Sequence, residues 1–351
     1  YAPPPPQRHL SAQLSMARPR HSQFVPILVA ASCITYGQSL IFVTPGPEEV
    51  AKYDRVRSVQ NHSGFHRSGE LLPYYLFRAR WFGEKHKAEN FPDIAKQWTD
   101  RRGTRIQLVV GVFSIAGSQE QPYRDVVRET WMNPRGGVCM LALGQSERCT
   151  VYVTFAVGNT QDLGQDPEEE DVTILPIHEN MDEGKSRVWF QYAAAEWTWA
   201  THIMKLDIDS FPYWFYVLNQ MAQHDLPCEN VYGGTMYAWC GAVYMPDCAC
   251  GKPKNSDFMQ YNIPDPGCFA YGHGSMYFLS RELAANASKP GGWWDQDVTA
   301  NCWPEDVATG RAIKKYGVEN QICITSLDFR WPLLARWHQT GPQRAYTGCP
   351  K

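Results

Sequence analysis

Two carboxylates one residue apart, Asp207 and Asp209, stand in the stretch KLDIDSF at residues 205–211. They follow the apolar residues Ile203, Met204 and Leu206, so the segment reads as a buried strand that surfaces at its carboxyl end, where open α/β sheets place their ligands. Two hard oxygen donors at such a position suit a divalent cation that also holds a phosphate. A second pair, Asp295 and Asp297, lies in GGWWDQD, where paired glycines and tryptophans predict a loop rather than a strand end. A third acidic pair, Glu305 and Asp306, follows Pro304 at the head of residues 304–318, which are spaced as a helix with Gly317 near its end. The helix dipole favours carboxylates in a first turn and should keep Asp306 ionised at neutral pH, able to accept a proton.

The elements that must position these groups can be read around them. Residues 105–116 form a near-continuous apolar run of the kind found in a strand covered on both faces. A helix-spaced stretch follows, with Pro122 suited to its first turn. Residues 151–158 and 171–177 predict further strands, residues 185–200 a helix, and residues 202–209 the strand that carries the first acidic pair. Strands alternating with helices predict an α/β fold with a mainly parallel sheet. The acidic run at residues 166–171 reads as a solvated loop, and Gly233, Gly234, Gly272, Gly274, Gly291 and Gly292 divide the second half into short strands and loops.

At 351 residues, 44% of them apolar, the chain can bury a domain of about 250 residues. A net charge of −3 and the lack of a long basic run point away from nucleic acid. Thirteen Trp and eighteen Tyr are many for this length, and planar aromatic faces stack on sugar rings as well as filling cores. Eleven Cys include no CxxC pair, and Cys248 and Cys250 are too close for a typical zinc finger. With Cys33 set aside, ten remain, a parity that favours disulfides in an oxidising compartment but does not give their connectivity.

The amino-terminal part explains how such a compartment would be reached. Residues 1–15 are Pro-rich, and Met16 is the natural alternative start. Arg18 and Arg20 precede residues 24–43, an uncharged run about as long as a bilayer is thick. Charge before the run predicts a cytosolic tail at 1–23 and a signal anchor at 24–43, with the bulk of the chain lumenal. The rival is a cleaved signal peptide processed near residues 30–32. Residues 44–104, charged and broken by Gly and Pro, suit a stem before a domain at 105–351. Asn61 and Asn286 head glycosylation tripeptides.

Taken together, these segments resemble glycosyltransferase family 31, the inverting β-1,3-galactosyl- and N-acetylglucosaminyltransferases. Arg124, Arg128, Thr130 and Trp131 match its Arg-x-x-x-Arg-x-Thr-Trp signature, and ENMDEGKSRVWFQYAAAEW, with Lys185 at a family position, resembles the segment that leads into the metal strand. KLDIDSF resembles Lys-Thr-Asp-Asp-Asp-Val-Phe, and GHGSMYFLSREL followed by WPEDVATG resembles the Gly-rich tyrosine strand and the Glu-Asp-Val motif. The resemblance covers about residues 105–340, and the aromatic-rich insertions are similar to those of a divergent, trypanosomatid-like branch. There are two departures: Ile208 replaces the middle Asp, and Ser275-Met276 replaces a Gly-Gly, which should narrow the room near the acceptor.

The resemblance implies a GT-A-type, Rossmann-like nucleotide-sugar-binding domain in the Golgi membrane, with Mn²⁺ or Mg²⁺ and a UDP-sugar donor, UDP-galactose or UDP-N-acetylglucosamine. It implies Asp209 as leading metal ligand, Asp207 directed to ribose or metal, and His338 as a further ligand. Asp306 becomes the base that deprotonates the acceptor hydroxyl, with Glu305 in reserve. Arg128, Arg124 and Lys185 fall to the donor nucleotide. The competing reading is a lumenal glycan-binding or scaffolding protein that keeps this fold without turnover.

Overall fold

The chain is described by a computed structural model covering residues 71–132, 136–159, 169–181, 183–223, 228–240, 258–260, 268–301, 303–329 and 335–338. In chain order its elements are α1 (Tyr74–Ala88), β1 (Leu108–Phe113), α2 (Gln121–Thr130), β2 (Val138–Met140), β3 (Val151–Asn159), β4 (Val172–His178), α3 (Lys185–Glu196), β5 (His202–Asp207), β6 (Ser210–Pro212), α4 (Trp214–Gln223), β7 (Asn230–Cys240), β8 (Phe258–Gln260), β9 (Cys268–Ser280), α5 (Arg281–Ala287), α6 (Trp293–Asn301), α7 (Glu305–Glu319), β10 (Ile324–Asp328) and β11 (Arg336–His338). The expected span at 24–43 lies outside the described residues. Among the described residues no helix is long and apolar enough to cross a membrane.

Eight strands form a path β2-β3-β1-β5-β9-β7-β10-β8, and β4 pairs with β3 beside it. The pairs among β1 to β5, and β7 with β10, are parallel; β9 runs antiparallel to both β5 and β7. Every residue of β1 is buried, as its apolar run requires. Its side chains alternate between two apolar layers, Val109 and Phe113 on one side and Leu108, Val110 and Val112 on the other. The first layer holds Trp189 of α3 and Ile313 of α7; the second holds Val126 of α2, Leu218 of α4 and Trp81 of α1. Gly111 of β1 leaves room for an indole, since a Cβ there would come within 2.5 Å of Trp189. In register, Phe113 is level with Asp207, so β1 and β5 end together and open one edge of the sheet to a ligand.

The structure departs from the sequence reading in four places. Asp295 and Asp297 lie in a helix, α6, because the turn ends at Gly292; Asp295 accepts the Gly291 N–H at 2.8 Å and pairs with Arg187 at 2.8 Å. Glu169 and Asp171 of the acidic run are ion-paired to Arg124 and Arg128 rather than solvated. Gly233, Gly234, Gly272 and Gly274 sit inside long strands, where Phe278 of β9 fills the space beside Gly233, while Gly291 and Gly292 form a turn as expected. Within the expected stem, α1 packs Phe77, Trp81 and Glu84 into the fold, one residue per turn along a single face.

Candidate active site

The site begins where β5 ends. Asp207 is the last residue of the strand, Ile208 and Asp209 turn the chain, and β6 leads away from them. The short strand β11 runs antiparallel to β6 with His338 opposite Ser210, which brings a residue from the far end of the chain beside Asp209. The His338 Nε2 to Asp209 Oδ1 distance is 3.5 Å. One ligand atom from each of Asp207, Asp209 and His338 lies within 4.8 Å of the others, and all three side chains are partly exposed. Two carboxylate oxygens and one imidazole nitrogen are a donor set that fits Mn²⁺ or Mg²⁺, and it leaves ligand positions for phosphate and water.

Behind this cluster stands Lys205, two residues before Asp207 on the same face of β5. Its buried ammonium reaches Asp207 Oδ1 at 2.8 Å, Glu305 Oε2 at 3.0 Å and the carbonyl of Gly274. Burial opposes the charge, but Asp207 and Glu305 outweigh it and hold the Lys205 pKa above the ordinary value. Glu305 also accepts hydrogen bonds from the hydroxyls of Ser186 and Tyr277, so this carboxylate is enclosed by three donors. Burial, reinforced by Glu305, raises the Tyr277 hydroxyl well above its ordinary pKa.

Asp306 turns the other way. Its carboxylate accepts the Gly274 N–H at 2.9 Å and its own neighbour's N–H, from Val307, at 2.9 Å. Burial lifts its pKa to about 7, helped by the adjacent Glu305 charge and resisted by Lys205 and the two N–H groups. The ionised state expected from the helix dipole is therefore corrected: surrounding protein and a like charge outweigh the dipole, and the group titrates near neutrality.

The cations expected to meet the donor are differently engaged. Arg124 is buried on α2, with a two-pronged ion pair to Glu169 at 2.8 and 2.6 Å and a bond to the Ile115 carbonyl at 2.8 Å. Arg128 binds Asp125, Glu169 and Asp171, each at 2.6 Å, and although burial opposes it Asp171 and Glu169 raise its pKa. Both guanidinium groups thus tie α2 to the start of β4. Lys185 donates to the Ser114 carbonyl just past β1 at 2.8 Å and to Glu179 at 2.6 Å. The Lys185 and Lys205 ammonium groups stand 5.1 and 5.3 Å from the Phe113 ring.

Over residues 122–324 the sequence matches the Galactosyltransferase family, a span of more than half the chain. The chain belongs to the galactosyltransferase family. The matched span holds Asp207, Asp209, Lys205, Glu305 and Asp306, while His338 lies beyond it. No curated protein sequence matches the chain. A solved structure, mannose-1-phosphate geranyltransferase from Thermus thermophilus, aligns over 64% of this chain and 74% of its own at 10% identity and a TM-score of 0.23, too slight a likeness to argue from.

Within this galactosyltransferase-family chain the two departures are absorbed by the interior. Ile208 is 1% exposed and joins the apolar layer with Leu206, so the middle position faces the core while the carboxylates on either side face the cleft. Met276 fills the same layer, and buried Ser275 bonds the Arg336 guanidinium, so neither side chain narrows an open cleft as expected.

Three residues of the site escaped the sequence reading. Lys205 had a signal, a lysine inside an apolar strand and in phase with Asp207. Arg336 and His273 had none: the pairing of β11 with β6 carries Arg336 to the cleft, and His273 arrives there on β9, which pairs with β5. The His273 ring lies 5.4 Å from that of His338, and burial, with the Arg336 charge, depresses its pKa to about 3.

Proposed function

We propose that the chain is an inverting, metal-dependent β-1,3-glycosyltransferase, moving galactose or N-acetylglucosamine from a UDP-sugar to a 3-hydroxyl of an acceptor glycan. The observation that carries this reading is the convergence of Asp207, Asp209 and His338, from the middle and the far end of the chain, linked through Lys205 and Gly274 to an acid poised near neutrality at Asp306. Asp306 takes the proton from the acceptor hydroxyl as that oxygen attacks the anomeric carbon on the face opposite the diphosphate. The bond from the anomeric carbon to the phosphate oxygen breaks with its electron pair leaving on UDP. Asp209, Asp207 and His338 would hold a divalent cation, which neutralises the charge developing on the departing diphosphate. Lys205 holds Asp207 and Glu305 in place, and by binding the Gly274 carbonyl it also fixes the residue whose N–H orients Asp306. Lys185, at the start of α3 and bonded to the Ser114 carbonyl just past β1, faces the nucleotide, with Arg124 and Arg128 bracing α2.

We further propose a lumenal site in the Golgi, reached through the amino-terminal anchor at 24–43. The Cys139–Cys149 and Cys228–Cys323 disulfides support an oxidising compartment. The test is a donor screen: UDP release from UDP-galactose and UDP-N-acetylglucosamine with an acceptor glycan, and the linkage of the product read by NMR. An inverted β-1,3 product is expected. Free monosaccharide formed without an acceptor would identify a hydrolase instead.

A further inference from the structure

Four cationic side chains are buried among the described residues: Arg124, Lys185, Lys205 and Arg336. The first three each have a carboxylate partner, Glu169 for Arg124, Glu179 for Lys185, and Asp207 with Glu305 for Lys205. Arg336 is 6% exposed, and among the described residues no carboxylate lies within ion-pairing distance of it. Its contacts are to neutral groups: the Ser275 hydroxyl, the Thr235 hydroxyl at 3.1 Å and His273 Nδ1 at 3.2 Å. A guanidinium carries five N–H donors in a planar fork, so these three bonds leave two of the five uncommitted. Removing a guanidinium from water without an opposite charge is costly, and a fold retains one where an anion completes it.

The position of Arg336 says which anion. It lies two residues before His338 on β11, hence on the same face, and both side chains meet the His273 ring. The carboxylates whose field it feels are Asp207 and Asp209. Both already serve other groups, Asp207 the Lys205 ammonium and Asp209 the His338 ring. We infer that Arg336 is a binding residue for the diphosphate of the nucleotide sugar, its free N–H groups directed to phosphate oxygens next to the Asp207–Asp209–His338 cluster. The inference rests on the proposed function for the identity of the nucleotide, but not for the existence of an anion site. A planar fork suits phosphate oxygens, and its charge grows in value as the sugar leaves and the diphosphate gains negative charge.

The experiment measures calorimetric binding of inorganic pyrophosphate, UDP and uridine to the full chain with Mn²⁺ present, for the wild type, Arg336→Gln and Arg336→Lys. Arg336→Gln should weaken pyrophosphate and UDP by about 10- to 100-fold and leave uridine unchanged, with Arg336→Lys in between. Unchanged pyrophosphate binding in Arg336→Gln overturns the inference, as does a parallel loss of uridine, which would mark a structural role. Should the glutamine variant not fold, the lysine variant decides, since undiminished pyrophosphate binding there also overturns it. Pyrophosphate bound by the wild type without UDP or uridine, and weakened in the variants, would uphold the anion site while refuting the nucleotide-sugar reading. If the wild type binds none of the three, both fail.

Discussion

Glu305 and Asp306 are adjacent and chemically alike, and their surroundings separate their roles. Glu305 is enclosed by Ser186, Tyr277 and Lys205, whereas the Asp306 carboxylate accepts, among the described residues, two backbone N–H groups. Asp306→Asn should therefore keep UDP binding and lose transfer by about 10²-fold or more, as kinetics beside a binding isotherm would show. Glu305→Gln removes one partner of a buried charge pair with Lys205, and a denaturation midpoint should reveal a loss of about 3–5 kcal/mol. With the Asp306 pKa near 7, raised by burial and Glu305 against Lys205, kcat/KM should rise tenfold per pH unit below pH 7 and level off above it. Stability should run the opposite way. A carboxyl whose folded pKa is raised above its ordinary value of 3.8 contributes stability that is complete below that value and is lost as pH rises through about 7. Asp306→Asn should accordingly gain stability relative to the wild type above pH 7, and thermal unfolding at pH 6 and 8.5 measures the difference.

Two helices hold these residues in place, and they differ in how far the sequence disclosed them. Helix α7 was legible from Pro304, the acidic first turn and its period; what the sequence did not disclose is how closely it approaches β9. A Cβ at Gly310 would lie 2.5 Å from the Tyr271 side chain and 2.6 Å from the Ala270 carbonyl, so Gly310→Ala must push α7 off the strand that contacts Asp306. It should cost about 1–3 kcal/mol in unfolding free energy and lower activity with it. Helix α1 was illegible because aromatic and charged residues occur all around it, while Phe77, Trp81 and Glu84 are the ones buried. Trp81 meets Trp337 edge to face at 5.4 Å, so α1 backs the strand that carries Arg336 and His338. Trp81→Ala should destabilise by about 3–5 kcal/mol, and a chain shortened to residues 105–351 should fail to fold, as circular dichroism would report. The parallel sheet and the Asp207–Asp209 pair were readable because they follow local periods. Contacts over long separations were not: Arg124 and Arg128 answer to Glu169 and Asp171, and β11 finds β6, through tertiary placement that no local pattern encodes.

Across the whole molecule, the even count of cysteines downstream of Cys33 predicted disulfides but not their pairing; among the described residues the fold places Cys228 beside Cys323 and Cys139 beside Cys149. The first of these bonds closes a loop of 95 residues that runs from just before β7 to just before β10 and contains the Asp306 helix. On a loop-closure argument it stabilises the fold by about 4–5 kcal/mol. Within this frame Asp207, Asp209 and His338 come together where β5 ends, and Asp306 is held by the Gly274 N–H of β9. The measurement that bears most directly on this account is transfer from a UDP-sugar to an acceptor glycan with Mn²⁺ and with a chelator, for the wild type and Asp209→Asn. The account predicts Mn²⁺-dependent transfer that the chelator abolishes and that the folded Asp209→Asn variant nearly lacks; wild-type rates in the chelated enzyme, or in Asp209→Asn, would contradict it.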